Sequence, residues 1–281
     1  MIFVSVVGFL FGAVFGSFLN VCISRLPASE SVVSPPSRCP KCGRGVRWYE
    51  NIPIFSWLML RARCAGCGLR ISAMYPLVEL CVALLWAATF WWLGPTFVAL
   101  RVAAFATLMM GIAVTDARSY LIPDGFTVFG ITWLALTSIA AYFLGSPWPF
   151  ASPLTALIGA CTGAGAIGIC MWLGEWALNR EAMGFGDLTL MAVVGAAVGP
   201  LRSLETVFIG AVFAVVSLPL IKAFGSYDLD TAGAGQLEFT LRDQRSGFPF
   251  VPFGVFLAPA AVVTLVFGDQ IAAWYMGFVV R

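Results

Sequence analysis

Two aspartates and four cysteines are the residues in this chain best suited to chemistry. Asp187 closes the run Gly184-Phe185-Gly186-Asp187, and Asp116 opens Asp116-Ala117-Arg118-Ser119-Tyr120-Leu121-Ile122-Pro123-Asp124, each where a long apolar segment meets a polar turn. An ionisable group at the edge of hydrocarbon is costly to keep, so it marks a functional site by default. Two such carboxylates suit acid/base work, one ionised to take a proton and the other protonated to give one. The cysteines form two knuckles, Cys39-Pro40-Lys41-Cys42 and Cys64-Ala65-Gly66-Cys67, with 21 residues between them. Four thiolates on two tight turns are the ligand set of a tetrahedral structural zinc. With four sulfur ligands and no histidine in the chain, the metal has no open position, which assigns it to holding the loop together and not to catalysis.

The elements that position these residues follow from composition. The chain has 281 residues, 60% hydrophobic and only 11% charged, where soluble domains carry about 25% charged residues. It reads as an all-α polytopic membrane protein. Spanning takes roughly 20 mostly apolar residues per helix, and eight candidate segments lie near 3–23, 75–93, 96–115, 126–144, 153–174, 187–199, 203–224 and 250–279. The sixth is short, ending at Gly199-Pro200, and Asp269 suggests that the apolar part of the eighth stops early. No Lys or Arg precedes Arg25, so the first segment reads as a retained helix and not as a cleaved secretory signal.

Eight of the sixteen Lys and Arg residues fall between Arg25 and Arg70, against only Glu30 and Glu50. The positive-inside rule places that loop in the cytoplasm, and counting spans puts both aspartates at the same face, at the end of the third helix and the start of the sixth. The overall charge of +2 argues for no nucleic-acid partner, because topology accounts for the basic residues, with contact to anionic lipid a compatible second role. Disulfides do not persist in a reducing cytoplasm, which favours zinc on the knuckles. Cys22, Cys81, Cys161 and Cys170 lack paired spacing and read as core residues. Trp91, Trp92, Trp148, Trp172 and Trp176 read as interfacial anchors. The implied organisation is a first transmembrane helix over 1–23, a cytoplasmic tetracysteine zinc loop over 24–74 and a transmembrane bundle over 75–281 with a cytoplasmic loop over 225–249.

These landmarks, in this order, resemble the type IV prepilin peptidases, bacterial GxGD-type aspartyl proteases that remove leader peptides from type IV prepilins and type II secretion pseudopilins. The resemblance is carried by Gly16-Ser17-Phe18-Leu19-Asn20-Val21 with Arg25-Leu26-Pro27, by Arg38-Cys39-Pro40 with Cys42, and by Glu50-Asn51-Ile52-Pro53 with Ser56-Trp57-Leu58. It continues through Ile71-Ser72, Tyr75-Pro76-Leu77-Val78-Glu79, Asp116 with Leu121-Ile122-Pro123-Asp124, Met183-Gly184-Phe185-Gly186-Asp187 and Pro252-Phe253-Gly254. Two positions depart from the family pattern, which has glycine where this chain has Ala62 and often where it has Ala182. The resemblance implies an enzyme of the bacterial cytoplasmic (inner) membrane with its active site facing the cytoplasm. Its substrate would be a membrane-anchored prepilin, and many members also methylate the new amino terminus from S-adenosylmethionine, an activity tied to the cysteine loop.

Under that reading Asp116 and Asp187 share one proton as a coupled pair, and Gly184 and Gly186 bracket Phe185 in a loop whose backbone freedom lets a substrate strand lie close. Blander roles stay open for several residues. Asp187 also suits the N-cap of its helix, and Asp124 reads as the N-cap of the fourth helix. Asp116 lacks that excuse, since a negative charge at a helix C-terminus opposes the dipole. Glu79 either lines the site or sits at the interface. The acidic stretch with Asp228, Asp230, Glu238 and Asp243, together with Glu175 and Glu181, is either a receiver for the basic leader or a solvated connector. Proton-coupled transport is the rival function, because intramembrane carboxylates also mark ion pathways.

Overall fold

The structure is a computed structural model that describes residues 1–145, 148–179, 183–224 and 252–279. Nine α-helices occur among these residues: α1 (Ile2–Arg25), α2 (Phe55–Met59), α3 (Met74–Leu93), α4 (Phe97–Ser119), α5 (Asp124–Phe143), α6 (Pro153–Leu178), α7 (Phe185–Val198), α8 (Pro200–Phe224) and α9 (Gly254–Val279). Seven are long and apolar enough to cross a membrane, and α7 is a shorter apolar helix. No strand occurs among the described residues, only two isolated bridges. Asp269 does not end the last helix, which runs on to Val279; its carboxylate is paired with Arg202. The chain divides into two compact units, Met1–Gly111 and Ile112–Arg281.

In the first unit α1 packs along α3 through glycines spaced at one helical face. A Cβ on Gly12 would stand 2.8 Å from Ala83 Cα, and one on Gly16 would stand 2.8 Å from Glu79 Cα. Small residues let apolar helices approach backbone to backbone where lipid supplies no hydrophobic drive. Trp86 of α3 stacks on Phe15 at 4.7 Å and donates its indole N–H to Thr107 Oγ1 of α4 at 2.9 Å. The opposite face of α1 carries Phe3, Leu10, Phe11 and Phe18, all exposed, as suits a lipid-facing surface.

In the second unit α7 is the central helix, in contact with α5, α6, α8 and α9. Leu190, Met191, Val193, Val194 and Ala197 are wholly buried. Its 14 residues extend only about 21 Å at about 1.5 Å per residue, short of the roughly 30 Å hydrocarbon core, which an inner helix shielded by neighbours tolerates. The crossing of α6 and α7 is closer still, since a Cβ on Gly159 would lie 2.1 Å from Gly195 O and one on Gly195 would lie 2.0 Å from Gly159 O. At the C-terminal end of α7 the Ala151 amide donates to Ala197 O at 2.8 Å and Ser138 Oγ donates to Ala151 O at 2.9 Å. Arg202 there bonds Asp269 and donates to Pro149 O. Trp148 donates to the same Asp269 at 3.4 Å, so it is a polar clasp as well as an exposed aromatic. Cys161 and Cys170 are exposed and not core residues; they lie on α6, whose face is small and apolar.

Candidate active site and metal centre

Asp116 sits in the last turn of α4 and Asp187 in the first turn of α7, and both are buried. They lie within electrostatic reach of each other. The link between them is built by Ile122 and the start of α9. After α4 the chain turns at Tyr120, whose φ is 52° and whose amide closes on Asp116 O at 2.8 Å. That turn brings Ile122 inward, where it is buried. A Cβ on Gly186 would stand 3.0 Å from Ile122 Cβ, and one on Gly254 would stand 2.8 Å from Asp116 Oδ2 and 3.0 Å from Ile122 Cδ1. The glycines therefore admit close neighbours. Gly184 has φ −79° and Gly186 lies within α7, so the left-handed freedom expected of this loop is not used, and Phe185 begins the helix with its side chain exposed.

Asp116 has a partner that its sequence position does not reveal. The Val255 amide donates to Asp116 Oδ2 at 3.1 Å, so the carboxylate of α4 caps α9 from outside. The first amides of a helix have no internal acceptor, and the helix dipole favours an anion there. Asp187 is not an N-cap: Gly184 holds that place and no side chain caps α7. Nor does Asp124 cap α5, whose N-cap is Pro123. The N-terminus of α9 thus faces Asp116, and Asp187 lies in the first turn of α7, so each carboxylate sits where a helix dipole favours an anion. Ile122 and Gly254 were visible in sequence only as parts of Leu121-Ile122-Pro123-Asp124 and Pro252-Phe253-Gly254, and Val255 was not singled out at all.

Glu79 belongs to the first unit and holds the loop. Its Oε2 accepts the Ile54 amide at 2.7 Å, at a residue with φ 63°, a conformation rare for a β-branched side chain. Asn20 donates to Tyr75 O beside it at 3.0 Å. Glu175 is exposed, while the loop over 225–249 with its four acids, and Glu181 and Ala182, lie outside the described residues.

The four knuckle cysteines do converge. Their sulfurs all lie within 4.8 Å of one another, and Cys39 Sγ stands 3.7 Å from Cys67 Sγ. A tetrahedral zinc with Zn–S of about 2.3 Å sets sulfurs about 3.8 Å apart, so the donor set fits. Each knuckle is the same turn: Gly43 N donates to Cys39 O and Gly68 N to Cys64 O, both at 2.9 Å, and both glycines have φ 70°. The shared signature is therefore Cys-x-x-Cys-Gly, one residue longer than the spacing alone suggested. Amides of Cys42 and Lys41 pull the Cys39 thiol down to about 6. The Leu69 amide pulls Cys67 down, but loss of water and three neighbouring sulfurs push it up further, to about 11.

Glu50 braces the first knuckle, accepting from Arg44 at 2.8 Å and from the Arg47 amide at 3.0 Å. The Arg47 amide and then Arg44 hold its carboxyl below the usual range. A carboxylate depressed in the folded state stabilises fully above its ordinary pKa, and the effect is lost as pH falls through the folded value. Thiolate ligands protonate in the same direction, so acid would release a metal held by these four sulfurs. Glu50→Gln should move the midpoint of zinc release to higher pH, as measured by a metallochromic titration of the purified protein. Ala62 sits where a glycine would be unstrained: its φ is 58°, and its amide caps α2 by donating to Trp57 O at 2.9 Å. A left-handed non-glycine residue costs roughly 1–2 kcal/mol. Ala62→Gly should strengthen zinc retention against a chelator about fivefold, equivalent to about 1 kcal/mol.

Comparison with known proteins matches this architecture. Residues 10–93 match the profile of the Bacterial Peptidase A24 N-terminal domain, and residues 103–218 match that of the Type IV leader peptidase family. The prepilin leader peptidase/N-methyltransferase of Myxococcus xanthus is 40% identical over 188 residues, 67% of this chain and 54% of that protein. Proteins of the same name from Stutzerimonas stutzeri and Pseudomonas aeruginosa are each 34% identical, over 95% and 96% of this chain and 92% of their own length. No solved structure matches the chain. A multi-pass helical bundle, a four-sulfur loop and two buried aspartates thus coincide with similarity along nearly the whole sequence, and the chain belongs to the type IV leader peptidase family.

Proposed function

We propose that this protein is an aspartyl endopeptidase that removes the basic leader of a type IV prepilin or pseudopilin at the cytoplasmic face of the bacterial inner membrane, with Asp116 and Asp187 as its catalytic pair. The reading rests on one observation above the others: two buried carboxylates from separate helices lie within electrostatic reach of each other, one of them under the N-terminus of α9. Asp116 Oδ2 is engaged by the Val255 amide, and the pair holds the attacking water. The ionised member of the pair takes a proton from that water as it attacks the scissile carbonyl. The protonated member delivers its proton to the leaving amine. Atoms balance, because the proton drawn from water regenerates the pair. Gly184, Phe185 and Gly186 lie beside Asp187 and form the approach for the substrate strand, with Phe185 exposed to meet it.

In this proposal residues 1–23 form the first transmembrane helix, 24–74 the cytoplasmic zinc loop and methyl-transfer region, and 75–281 the protease bundle with its loop over 225–249. Cys39, Cys42, Cys64 and Cys67 hold one structural zinc, which supplies cross-linking and no reaction step. Methyl transfer to the new amino terminus draws its methyl group from S-adenosylmethionine. No residue of this chain is assigned to that cofactor. Proton-coupled transport gains no support, since the named relatives are peptidases.

The test is to incubate purified protein in lipid with a prepilin bearing a Gly-Phe junction and to follow intact mass with and without S-adenosylmethionine. Loss of the leader is expected without the cofactor, and a further gain of one methyl with it. An uncut substrate would refute the peptidase assignment.

A further inference from the structure

The cysteine loop carries a feature that neither zinc binding nor proteolysis uses. Phe55, Leu58 and Met59 of α2 are 55%, 60% and 68% exposed, and nearby Trp48 is 82% exposed. Their spacing of i, i+3 and i+4 puts the three α2 side chains on one face. The other side of this helix is fixed to the loop, because Trp57 donates its indole N–H to Ile71 O at 3.2 Å and Ala62 caps the helix onto Trp57 O. The apolar stripe is therefore held pointing outward, and among the described residues it stays uncovered.

Charge and tethering identify what it meets. Arg38, Lys41, Arg47, Arg61, Arg63 and Arg70 are all exposed, while of the two acids in the loop Glu50 is already paired with Arg44. Arg47 adjoins Trp48 and holds Tyr49, with its guanidinium 5.9 Å from the ring centroid. Arg61 and Arg63 follow within four residues of Met59. On either side the loop runs straight into an apolar spanning helix, α1 ending at Arg25 and α3 starting at Met74. An outward apolar stripe with aromatic residues and a cationic border, tied at both ends to membrane helices, has the make-up of an interfacial element.

We propose that this face of the loop docks on the bilayer itself, with Trp48, Phe55, Leu58 and Met59 seated at the level of the acyl boundary and Arg47, Arg61 and Arg63 on anionic lipid headgroups. Docking fixes the height of the metal-bound loop above the membrane, where a substrate emerging from the same bilayer would pass it.

The experiment places p-benzoylphenylalanine at Leu58 in the full-length protein, reconstituted in nanodiscs of phosphatidylglycerol and phosphatidylethanolamine, and identifies photo-adducts by mass spectrometry. Lipid adducts should exceed by at least fivefold those from the same probe at Ala65, an exposed position on the second knuckle. They should fall at least fivefold when Arg61→Glu and Arg63→Glu are combined. Adducts to another segment of the chain or to a second copy, or a lipid yield no greater than at Ala65, would overturn the proposal. Hydrogen exchange on the unaltered protein gives a second test. Amides of 47–60 should exchange several-fold more slowly in anionic nanodiscs than in phosphatidylcholine ones, and equal rates would count against it. Neither readout involves cleavage, so the outcome is separate from that of the peptidase assignment.

Discussion

Asp116→Asn and Asp187→Asn should each abolish leader removal, lowering the rate by about 1,000-fold or more, while the protein remains folded. The size follows from the roles: general acid or base catalysis supplies roughly 10²–10⁴-fold per group, and neither member can replace the other once an amide has removed the exchangeable proton. Asparagine keeps the shape and an acceptor oxygen, so the Val255 amide that now donates to Asp116 retains its partner and α9 keeps its cap. The check is single-turnover cleavage of a prepilin by intact mass, with thermal unfolding as the control for structure. Asp124→Asn is the matched comparison. That residue is exposed at the start of α5 and should leave the rate within about twofold. Equal loss at all three positions would mean that acidity near the turn matters and the pairing does not.

Gly195→Val should be the most damaging substitution away from the acids. A β-carbon there meets Gly159 O at 2.0 Å, and the reciprocal contact from Gly159 is 2.1 Å. The obstacle is backbone on both sides, so no rotamer relieves it and the helices must separate. Overpacking against movable side chains costs typically 1–3 kcal/mol, and a clash with a fixed carbonyl costs more. We expect loss of folded protein in detergent, read by size exclusion and limited proteolysis, with zinc still bound because the knuckles belong to the other unit. Gly159→Val should do the same. The double variant should cost much less than the sum, because one separation accommodates both side chains.

Much of this was legible in the sequence for reasons that can be named. Spanning helices announce themselves because lipid demands about twenty apolar residues in a row, and the knuckles because two turns of fixed spacing recur. The aspartates stood out because charge is scarce in this chain. Less was legible where a residue's role depends on a distant element. Asp116 seemed to oppose its own helix dipole, and only the fold brings the N-terminus of α9 to it. Gly186 suggested unusual backbone angles, whereas its helical position requires only the absence of a side chain beside Ile122. Glu79 gave no hint that it would hold a strained Ile54 amide 25 residues away. Ala62 adopts a left-handed turn that a glycine would take without strain, which its residue type alone does not disclose.

The contact between Gly159 and Gly195 also restricts how this bundle can have descended with modification. Neither position can gain a side chain first, since each is blocked by the main chain of the other, and a codon change at one does nothing to relax its partner. A lineage leaving this arrangement must first move two helices apart by changes elsewhere. The crossing is therefore a one-way door: small residues can tighten into it by single steps, but single steps do not lead back out.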